Sequence, residues 1–438
     1  MVAAVRRGCK DKSAKSGPII DAAMGERMGR LTRILAGLVS LGLAGCTHAP
    51  PVAQNPPLVI LVSIDGFRAD YLDRGLTPNI AALAANGVRA QSMRPAFPTI
   101  TFPNHTTLVT GLYPDHHGIV NNTMEDPAMP GVTFTMATAH DTRWWTEETP
   151  IWVTAQHQGL HAASMFWPGS DIPNHGVLPD HVMSFDEKVP PDQRTDTVLG
   201  WLDLPPDQRP EFTTLYFDEV DGAGHAAGPD SDKVNQALRS VDAAIGRLVA
   251  GLRQRGLFDR ANLIILADHG MEGNSLDRVV YLDDLVDPKT VHVEASGVIT
   301  GLRAEPGHEA AVEQALLKPH AHMQCWRKAD FPPRLHYGTN PRVPALLCLA
   351  EPGWAIWTHA FIASLKGGFV YGMHGYDNAD PPMGALFVAE GPAFRQGAVH
   401  PTFDNVDVYP LLTHLLAIKP EPNDGKLSEV SDMLKSGM

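Results

Sequence analysis

Three strand-like stretches that each run up to an acidic residue constrain this chain more than any other feature of its sequence. In the clearest of them, residues 58–64, every position is apolar except Ser63. Continuous rather than alternating apolarity predicts a strand that is buried on both faces, as in a parallel sheet. The three stretches with their acids are residues 58–64 with Asp65, residues 263–267 with Asp268, and residues 212–217 leading towards Asp221.

Amphipathic helical stretches lie between these predicted strands. The clearest covers residues 233–254, where apolar side chains recur every three or four positions. Another begins at Thr77 and Pro78, a capping residue followed by a proline that fits the first helical turn. The alternation predicts an α/β fold with a mostly parallel central sheet and helices on both faces. Its functional crevice should lie beyond the carboxyl ends of the strands. Residues 279–353 have mixed patterning and are predicted to form a smaller inserted lobe.

The N-terminal segment resembles a bacterial lipoprotein signal. Arginines precede an apolar run over residues 34–44, which is too short to span a bilayer. The run ends in Leu-Ala-Gly-Cys, which would make Cys46 a lipidated N-terminus; an ordinary secretory signal with a chance cysteine is the alternative. We therefore predict a signal segment over residues 1–46, with a mis-set start before Met24 or Met28, and a tether over residues 47–57. The expected location is the periplasm or cell surface of a bacterium.

Net charge limits the binding partners of the chain, and the cysteine content predicts its disulfide state. The 438 residues carry a net charge of −14, which argues against binding to a nucleic-acid backbone. Outside the N-terminal segment the cysteines are Cys325 and Cys348. In an oxidising compartment these two predict a disulfide, and the alternative is two separate buried thiols.

Carboxylates and imidazoles recur at the predicted strand ends and turns. Asp221 and His225 are separated by three small residues, Asp268 and His269 are adjacent, and His374 lies in a turn beside glycine. Oxygen and imidazole ligands without thiolates suit catalytic zinc. Together with Asp65, which follows the first predicted strand, these residues are more than one such site needs. They therefore predict a two-metal centre with ions roughly 4 Å apart. The alternative is a scatter of helix caps and surface histidines.

A hydroxyl that could attack a substrate lies in the proline-containing run around Thr101. This threonine stands just before a predicted helix over residues 104–109, where backbone N–H groups favour an anion. A threonine hydroxyl is a poor nucleophile at neutral pH, but coordination to a divalent cation lowers its pKa. Asn121 and Asn122 are candidate donors to a phosphoryl oxygen, and for each the alternative is a role in a turn.

The motifs, taken in chain order, resemble those of one known family. They are Ser63-Ile64-Asp65-Gly66-Phe67-Arg68, Thr101 with Pro103-Asn104-His105, Thr110-Gly111-Leu112-Tyr113-Pro114, His117-Gly118-Ile119, Asp221 with Gly224-His225, Asp268-His269-Gly270-Met271, and His374-Gly375-Tyr376. The set resembles the nucleotide pyrophosphatase/phosphodiesterase family of the alkaline phosphatase superfamily. The resemblance implies an alkaline-phosphatase-like fold, with a catalytic domain over residues 58–420 and a C-terminal tail over residues 421–438.

The resemblance also implies a metal centre with two Zn²⁺ per chain. Asn122 matches the phosphate-binding asparagine of the family. The implied mechanism is attack by Thr101 on a nucleotide phosphodiester or pyrophosphate bond, a covalent phosphothreonine-type intermediate, and its hydrolysis to release a nucleoside monophosphate. The implied metal ligands are Asp65, Thr101, Asp268 and His269 for one zinc ion, and Asp221, His225 and His374 for the other.

Two phenylalanines are candidates for a nucleotide base slot. Phe102 follows the nucleophile, and Phe185 falls where relatives commonly carry a tyrosine. A phenylalanine keeps the stacking, which is worth about 1–3 kcal/mol per base, but lacks the hydroxyl. The alternative is that both are core residues. Residues 166–181 resemble an insertion found in the nucleotide-hydrolysing branch and absent from the lysophospholipase branch, so we expect a nucleotide or other small phosphodiester substrate.

Two other functions stay open at this point. A phosphate monoesterase of the same superfamily would need an extra cation near Thr101, for which Arg68 and Arg94 are candidates. A non-catalytic surface lipoprotein that binds ligands would not need an activated nucleophile, so the intact Thr101 and the full ligand set count against it. Membrane contact is expected only through the N-terminal lipid anchor.

Overall fold

The computed structural model of the protein describes residues 57–366 and 368–437. The predicted signal segment, the lipidated Cys46 and nearly all of the predicted tether lie outside these residues. Among the helices of the described ranges, none combines the length and the apolarity that a bilayer crossing requires.

The described residues form strands and helices that alternate over most of the chain. The strands are β1 (Leu58–Ile64), β2 (Val88–Ala90), β3 (Met93–Arg94), β4 (Met124–Glu125), β5 (Thr133–Phe134), β6 (Ala162–Met165), β7 (His181–Met183), β8 (Phe212–Phe217), β9 (Ala261–Leu266), β10 (Glu272–Gly273), β11 (Val279–Tyr281), β12 (Val291–Ala295), β13 (Ile299–Ala304), β14 (Met323–Arg327), β15 (Leu346–Ala350), β16 (Ala355–Trp357), β17 (Gly372–Met373), β18 (Phe387–Glu390), β19 (Ala398–His400) and β20 (Phe403–Asp404). The α-helices are α1 (Pro78–Asn86), α2 (Thr101–Thr110), α3 (Pro114–His117), α4 (Ile151–His157), α5 (Pro191–Leu202), α6 (Glu219–Ala227), α7 (Asp232–Gln254), α8 (Glu309–Leu316), α9 (His359–Ser364) and α10 (Val408–Leu415).

An eight-stranded sheet in the order β19-β2-β18-β9-β1-β8-β6-β7 forms the centre of the fold. Strand β1 lies between β8 and β9 and pairs in parallel with both. Within this sheet β18 is the strand that runs antiparallel to its neighbours. Every residue of β1 is buried, on both alternating sides, so both faces of the sheet are covered, as continuous apolarity predicts. The predicted α/β fold with a mostly parallel sheet is confirmed.

The predicted helices have the expected faces and ends. Helix α7 begins one residue before the predicted start, and the Ser231 hydroxyl accepts a hydrogen bond from Val234 N–H at 3.3 Å as its cap. Helix α1 begins at Pro78, directly after Thr77, as predicted. The core-facing side of α7 consists of Val234, Leu238, Val241, Ile245, Leu248 and Leu252, all buried.

A second, antiparallel sheet in the order β12-β13-β15-β14 forms the smaller lobe. Cys325 and Cys348 face each other across β14 and β15 and are joined by a disulfide. The apolar core of this lobe extends to Ile100 and Tyr376. It therefore packs against the segments that lead into Thr101 and out of His374.

Residues beyond the predicted catalytic domain pack onto the main core. Val430, Met433 and Leu434 are buried there, and Arg395 N–H donates to the Met433 carbonyl at 2.9 Å. The segment after residue 420 therefore contributes apolar contacts to the fold.

Two local predictions were wrong. Helix α2 begins at Thr101 rather than at Asn104, because a proline in the first turn, here Pro103, sacrifices no intrahelical hydrogen bond. Asp221 does not follow a strand directly but lies in the first turn of α6. The small residues between Asp221 and His225 are therefore helical, and one helical turn, not a loop, brings the two side chains together.

Candidate metal centre

The predicted ligands meet at the carboxyl edge of the central sheet, as the acid-terminated stretches predict. The chain places them on several separate elements. Asp65 follows β1, Asp268 and His269 follow β9, Asp221 and His225 lie on α6, His374 follows β17, and Thr101 is the first residue of α2.

Asp65, Asp268 and His269 form one group, which we name the inner cluster, and all three are buried. The Nε2 atom of His269 lies 3.4 Å from Asp65 Oδ1 and 3.1 Å from Asp268 Oδ2. The Tyr216 hydroxyl donates to Asp65 Oδ2 at 2.6 Å, and Gly66 N–H donates to Asp268 Oδ1 at 3.2 Å. Among the described residues, Asp65 Oδ1 and Asp268 Oδ2 have no hydrogen-bond partner.

Asp221, His225 and His374 form a second group, which we name the outer cluster. The Oδ1 atom of Asp221 lies 3.4 Å from His225 Nε2 and 3.6 Å from His374 Nε2. The two Nε2 atoms are 3.2 Å apart. Asp221 Oδ1 is buried and has no hydrogen-bond partner within the described part of the chain. Suitable oxygen and nitrogen atoms of Asp65, Asp221 and His269 lie within 4.8 Å of one another, so the two clusters adjoin.

The three histidines of the clusters are oriented in the same way. Each Nδ1 lies against a backbone carbonyl, which can only accept, so Nδ1 carries the proton and Nε2 keeps a lone pair. Metal-ligating histidines are held in this manner. The carbonyls belong to Gly270 for His269 at 2.8 Å, Gly372 for His225 at 2.7 Å, and Thr99 for His374 at 2.9 Å.

The charges of the two clusters fit bound cations. Burial, and next the neighbouring carboxylates, raise the pKa of Asp65 and of Asp268 well above the usual range. Burial lowers the pKa of His269, and it lowers the pKa of His374 to about 4. Unpartnered buried carboxylate oxygens and facing imidazole lone pairs repel one another unless a positive charge lies between them. The donor set, oxygen and imidazole without thiolate, suits a divalent metal ion such as catalytic zinc.

The Thr101 hydroxyl lies at the inner cluster. Its Oγ1 is 3.3 Å from His269 Nε2, which holds a lone pair, so the hydroxyl is the donor of this contact. The Oδ1 atom of Asn122 accepts from Phe102 N–H at 2.9 Å, which turns the amide of Asn122 so that its Nδ2 remains available as a donor. The structure therefore brings together Thr101 and Asn122 through the first turn of α2.

The two candidate base-slot rings belong to separate aromatic clusters. The ring of Phe102 packs against Phe134 and Trp145, at centroid distances of 5.3 and 6.2 Å. The ring of Phe185 packs edge-on against Phe166 and Tyr216, and the residue is 44% exposed. Neither is a fully buried core residue, although Phe102 packs partly buried against the core of the smaller lobe.

The two arginines that a monoesterase would use are already engaged. Arg68 pairs with Asp70 at 2.8 Å and also donates to the Met271 carbonyl. Arg94 pairs with Asp404 at 2.6 Å. In the part of the chain that the structure describes, neither guanidinium forms a contact with Thr101.

Sequence reasoning assigned no role to two residues that support the inner cluster. His105 is buried, and its Nδ1 donates to the Thr101 carbonyl at 2.9 Å while its Nε2 accepts from the Ser63 hydroxyl at 2.9 Å. Tyr216, the donor to Asp65, is the other. The available signal for His105 was its position four residues after Thr101, which puts both on one helix face.

The fold and the paired clusters define an alkaline-phosphatase-like α/β protein with side-chain groups that could hold metal ions. A structure of murine ectonucleotide pyrophosphatase/phosphodiesterase 5, an inactive threonine-to-alanine variant in complex with AMP, matches the chain with a TM-score of 0.82. The sequence identity is 34%, and the match covers 86% of this chain and 100% of the murine chain.

Sequence comparison gives the family. The sequence model of the type I phosphodiesterase / nucleotide pyrophosphatase family matches residues 59–377, and the chain belongs to this family. Mouse ectonucleotide pyrophosphatase/phosphodiesterase family member 3 is 40% identical over 402 residues, which is 89% of this chain and 45% of the mouse protein. An uncharacterized pyrophosphatase/phosphodiesterase of Schizosaccharomyces pombe is 37% identical over 84% of this chain and 78% of its own length. The chain thus spans about half the length of the mouse relative.

Proposed function

We propose that this protein is a two-zinc phosphodiesterase and nucleotide pyrophosphatase that releases nucleoside monophosphates. The observation that carries the proposal is the convergence of three unpartnered carboxylate oxygens and three imidazole lone pairs beside the Thr101 hydroxyl. The family membership supports the reaction class. The AMP bound to the murine relative supports a nucleotide as substrate.

The proposed ligands divide between the two clusters. Thr101 and the inner cluster would hold one ion, and the outer cluster would hold the other. Bound zinc would supply positive charge that lowers the pKa of a coordinated hydroxyl and stabilises negative charge on phosphoryl and leaving oxygens.

The chain's own residues then perform the following steps. The Thr101 hydroxyl gives its proton to solvent, its Oγ1 forms a bond to phosphorus, and the bond from phosphorus to the leaving oxygen breaks. The Nδ2 group of Asn122 donates to a phosphoryl oxygen, because its carbonyl is already held by Phe102 N–H. Water then attacks phosphorus, the threonyl ester bond breaks, and Thr101 regains its proton as the nucleoside monophosphate leaves.

We assign Phe102 and Phe185 to the nucleotide base. Neither residue is fully buried, and aromatic stacking accepts any base because every base has a π-face. Phe185 supplies no hydroxyl, so its contribution would be stacking alone.

The test compares three forms of the zinc-loaded protein on bis(4-nitrophenyl) phosphate and on a dinucleotide. Thr101→Ala should lower kcat by roughly 10³-fold or more, because it removes the nucleophile. Thr101→Ser is the matched control, because it keeps a hydroxyl and should retain measurable turnover with a burst of bound phosphoryl group. Equal activity of the Ala variant and the parent protein would rule out Thr101 as the nucleophile.

The same assay separates the alternatives. Faster turnover of 4-nitrophenyl phosphate than of the diester would indicate a monoesterase, which the engagement of Arg68 and Arg94 disfavours. Tight nucleotide binding without turnover of any ester would indicate a non-catalytic binding protein.

We also propose that the protein is exported and anchored through a lipid on Cys46. The support is the Leu-Ala-Gly-Cys box that ends the apolar run, together with relatives named ectonucleotide pyrophosphatase/phosphodiesterase. Expression in a bacterial host with an alkyne-labelled fatty acid should label the parent protein and the Cys9→Ser variant but not Cys46→Ser. Labelling that persists in Cys46→Ser would exclude this anchor.

A further inference from the structure

A pocket of about 360 Å³ opens beside the outer cluster. Its walls come from residues 121–123, from residues 293–299, which end β12, form the turn and begin β13, and from Met373 with His374. The smaller lobe therefore forms one side of the pocket, and the candidate metal centre forms the other. Neither Phe102 nor Phe185, the residues assigned to the base, lines this pocket.

The lining of this pocket is polar but contains no lysine or arginine among the described residues. Its polar side chains are the amides of Asn121 and Asn122, the hydroxyls of Thr123 and Ser296, the carboxylate of Glu294 and the imidazole of His374. The remaining residues of the lining are aliphatic, glycine or methionine. Such a surface can donate hydrogen bonds to sugar hydroxyls, but it offers a polyanion no side-chain cation.

The cation that pairs with the lining residue Glu294 is already shared. Arg303 contacts Glu294 at 2.7 Å and Glu125 at 2.9 Å. His292 Nε2 lies 2.8 Å from the same Glu125. One guanidinium thus faces two carboxylates, and the group has no positive charge to spare for a ligand.

The pocket lies where the leaving group of the proposed reaction departs. In phosphoryl transfer the attacking and leaving oxygens are roughly in line through phosphorus. The attacking Oγ1 of Thr101 lies at the inner cluster, so the leaving oxygen points towards the outer cluster, whose His374 lines the pocket.

We propose that this pocket receives the leaving group and that its lining selects an uncharged, hydroxyl-bearing leaving group, such as a nucleoside, over pyrophosphate. The inference rests on the proposed function. As the Thr101 Oγ1–phosphorus bond forms, the leaving oxygen keeps the electron pair of the broken bond and takes a proton from water. A nucleoside is then released into the pocket, whereas pyrophosphate meets a lining without lysine or arginine, and the nearby Arg303 is already paired with Glu294 and Glu125.

The experiment compares kcat/KM for a dinucleoside monophosphate and for the matching nucleoside triphosphate. Both yield the same nucleoside monophosphate, so they differ in the leaving group. The parent protein should prefer the dinucleoside monophosphate. Ser296→Lys places a cation at an exposed position of the turn and should shift the ratio towards the triphosphate by about tenfold.

Two control variants isolate the charge in the pocket. Ser296→Ala changes the same position without adding charge, and Val399→Lys adds the same charge at a 64% exposed position on β19, which does not line the pocket. Neither should shift the ratio as Ser296→Lys does.

The outcomes separate the two proposals. A parent protein that cleaves diesters but prefers the triphosphate would overturn the leaving-group proposal and leave the phosphodiesterase assignment intact. If the kcat/KM ratio for the two substrates is the same in Ser296→Lys and Val399→Lys, the leaving-group proposal is likewise overturned and the phosphodiesterase assignment stays intact. Absence of turnover on both substrates would overturn the proposed function and this inference with it.

Discussion

The inner and outer clusters use the same kinds of side chain in different surroundings. The side chains of Asp65 and His269 are 2% and 0% exposed, whereas those of Asp221 and His225 are 19% and 33% exposed. The inner residues follow two central strands, and most outer residues lie on the short helix α6. A buried cluster thus stands beside Thr101, and a more open one stands beside the pocket that we propose for the leaving group.

The largest expected effect is the loss of activity when one carboxylate of each cluster is replaced by an amide. Asp268→Asn should lower kcat/KM on bis(4-nitrophenyl) phosphate by about 10³-fold or more, because a buried ligand has no water to replace it and a metal supplies several kcal/mol. Asp221→Asn should cost about 10²-fold and be partly restored by excess zinc, because water reaches that site. Enzyme kinetics and metal analysis of both variants check these expectations. Equal losses of kcat/KM, with no recovery in excess zinc for either variant, would contradict the expected difference between the clusters.

Metal removal should follow the same order. During treatment with a chelator, we expect the more exposed outer cluster to lose its ion first and the inner cluster to lose its ion later. Metal content and activity followed over time should fall in two phases, with an intermediate that holds about one ion per chain. A single phase in which both ions leave together would show that exposure does not control release.

A smaller effect should follow from the support of the inner cluster. Tyr216→Phe removes the hydroxyl that donates to Asp65 and should weaken zinc binding or activity by about 10- to 100-fold, the usual cost of losing such a partner. Tyr71→Phe is the control, because Tyr71 is buried but does not contact either cluster. If Tyr216→Phe and the control have equal zinc affinity and equal activity, Tyr216 does not support the inner cluster.

The smallest effect concerns the metal-free protein and pH. Burial lowers the pKa of His374 to about 4, so the unfolded chain binds this proton more readily than the folded chain between the ordinary value of 6.5 and about 4. Stability is therefore lost as the pH falls through that window, by at most about 1.4 kcal/mol per pH unit from this residue. Denaturant unfolding of His374→Asn should show a shallower dependence than the parent protein.

Local pattern predicted much of the fold. Residues 233–254 coincide with α7 to within one residue, because a long amphipathic period and a serine cap define the helix without reference to the rest of the chain. The start of α2 was missed because Pro103 resembles a boundary although the first turn tolerates it. Asp221 was placed at a strand end because the sequence does not show that α6 begins within two residues of β8.

The candidate site also has features that the sequence could predict and features that it could not. Its ligand types, and their grouping beyond the strand ends, could be predicted from residues and motifs, because parallel strands present their carboxyl ends at one edge. The contacts that orient the histidine ligands could not be predicted from the sequence. Gly270, Gly372 and Thr99 hold the histidines through backbone carbonyls, which any residue carries.

The sequence by itself determined which strands are buried on both faces and which carboxylates, imidazoles and hydroxyl stand near their ends, since apolar period and residue type are local properties. Only the tertiary structure decided that two clusters adjoin and differ in exposure, and that Glu125 and Glu294 share Arg303 beside the leaving-group pocket. The physical reason is that these relations join residues far apart in the chain, and packing of the two lobes, not local preference, sets their distances.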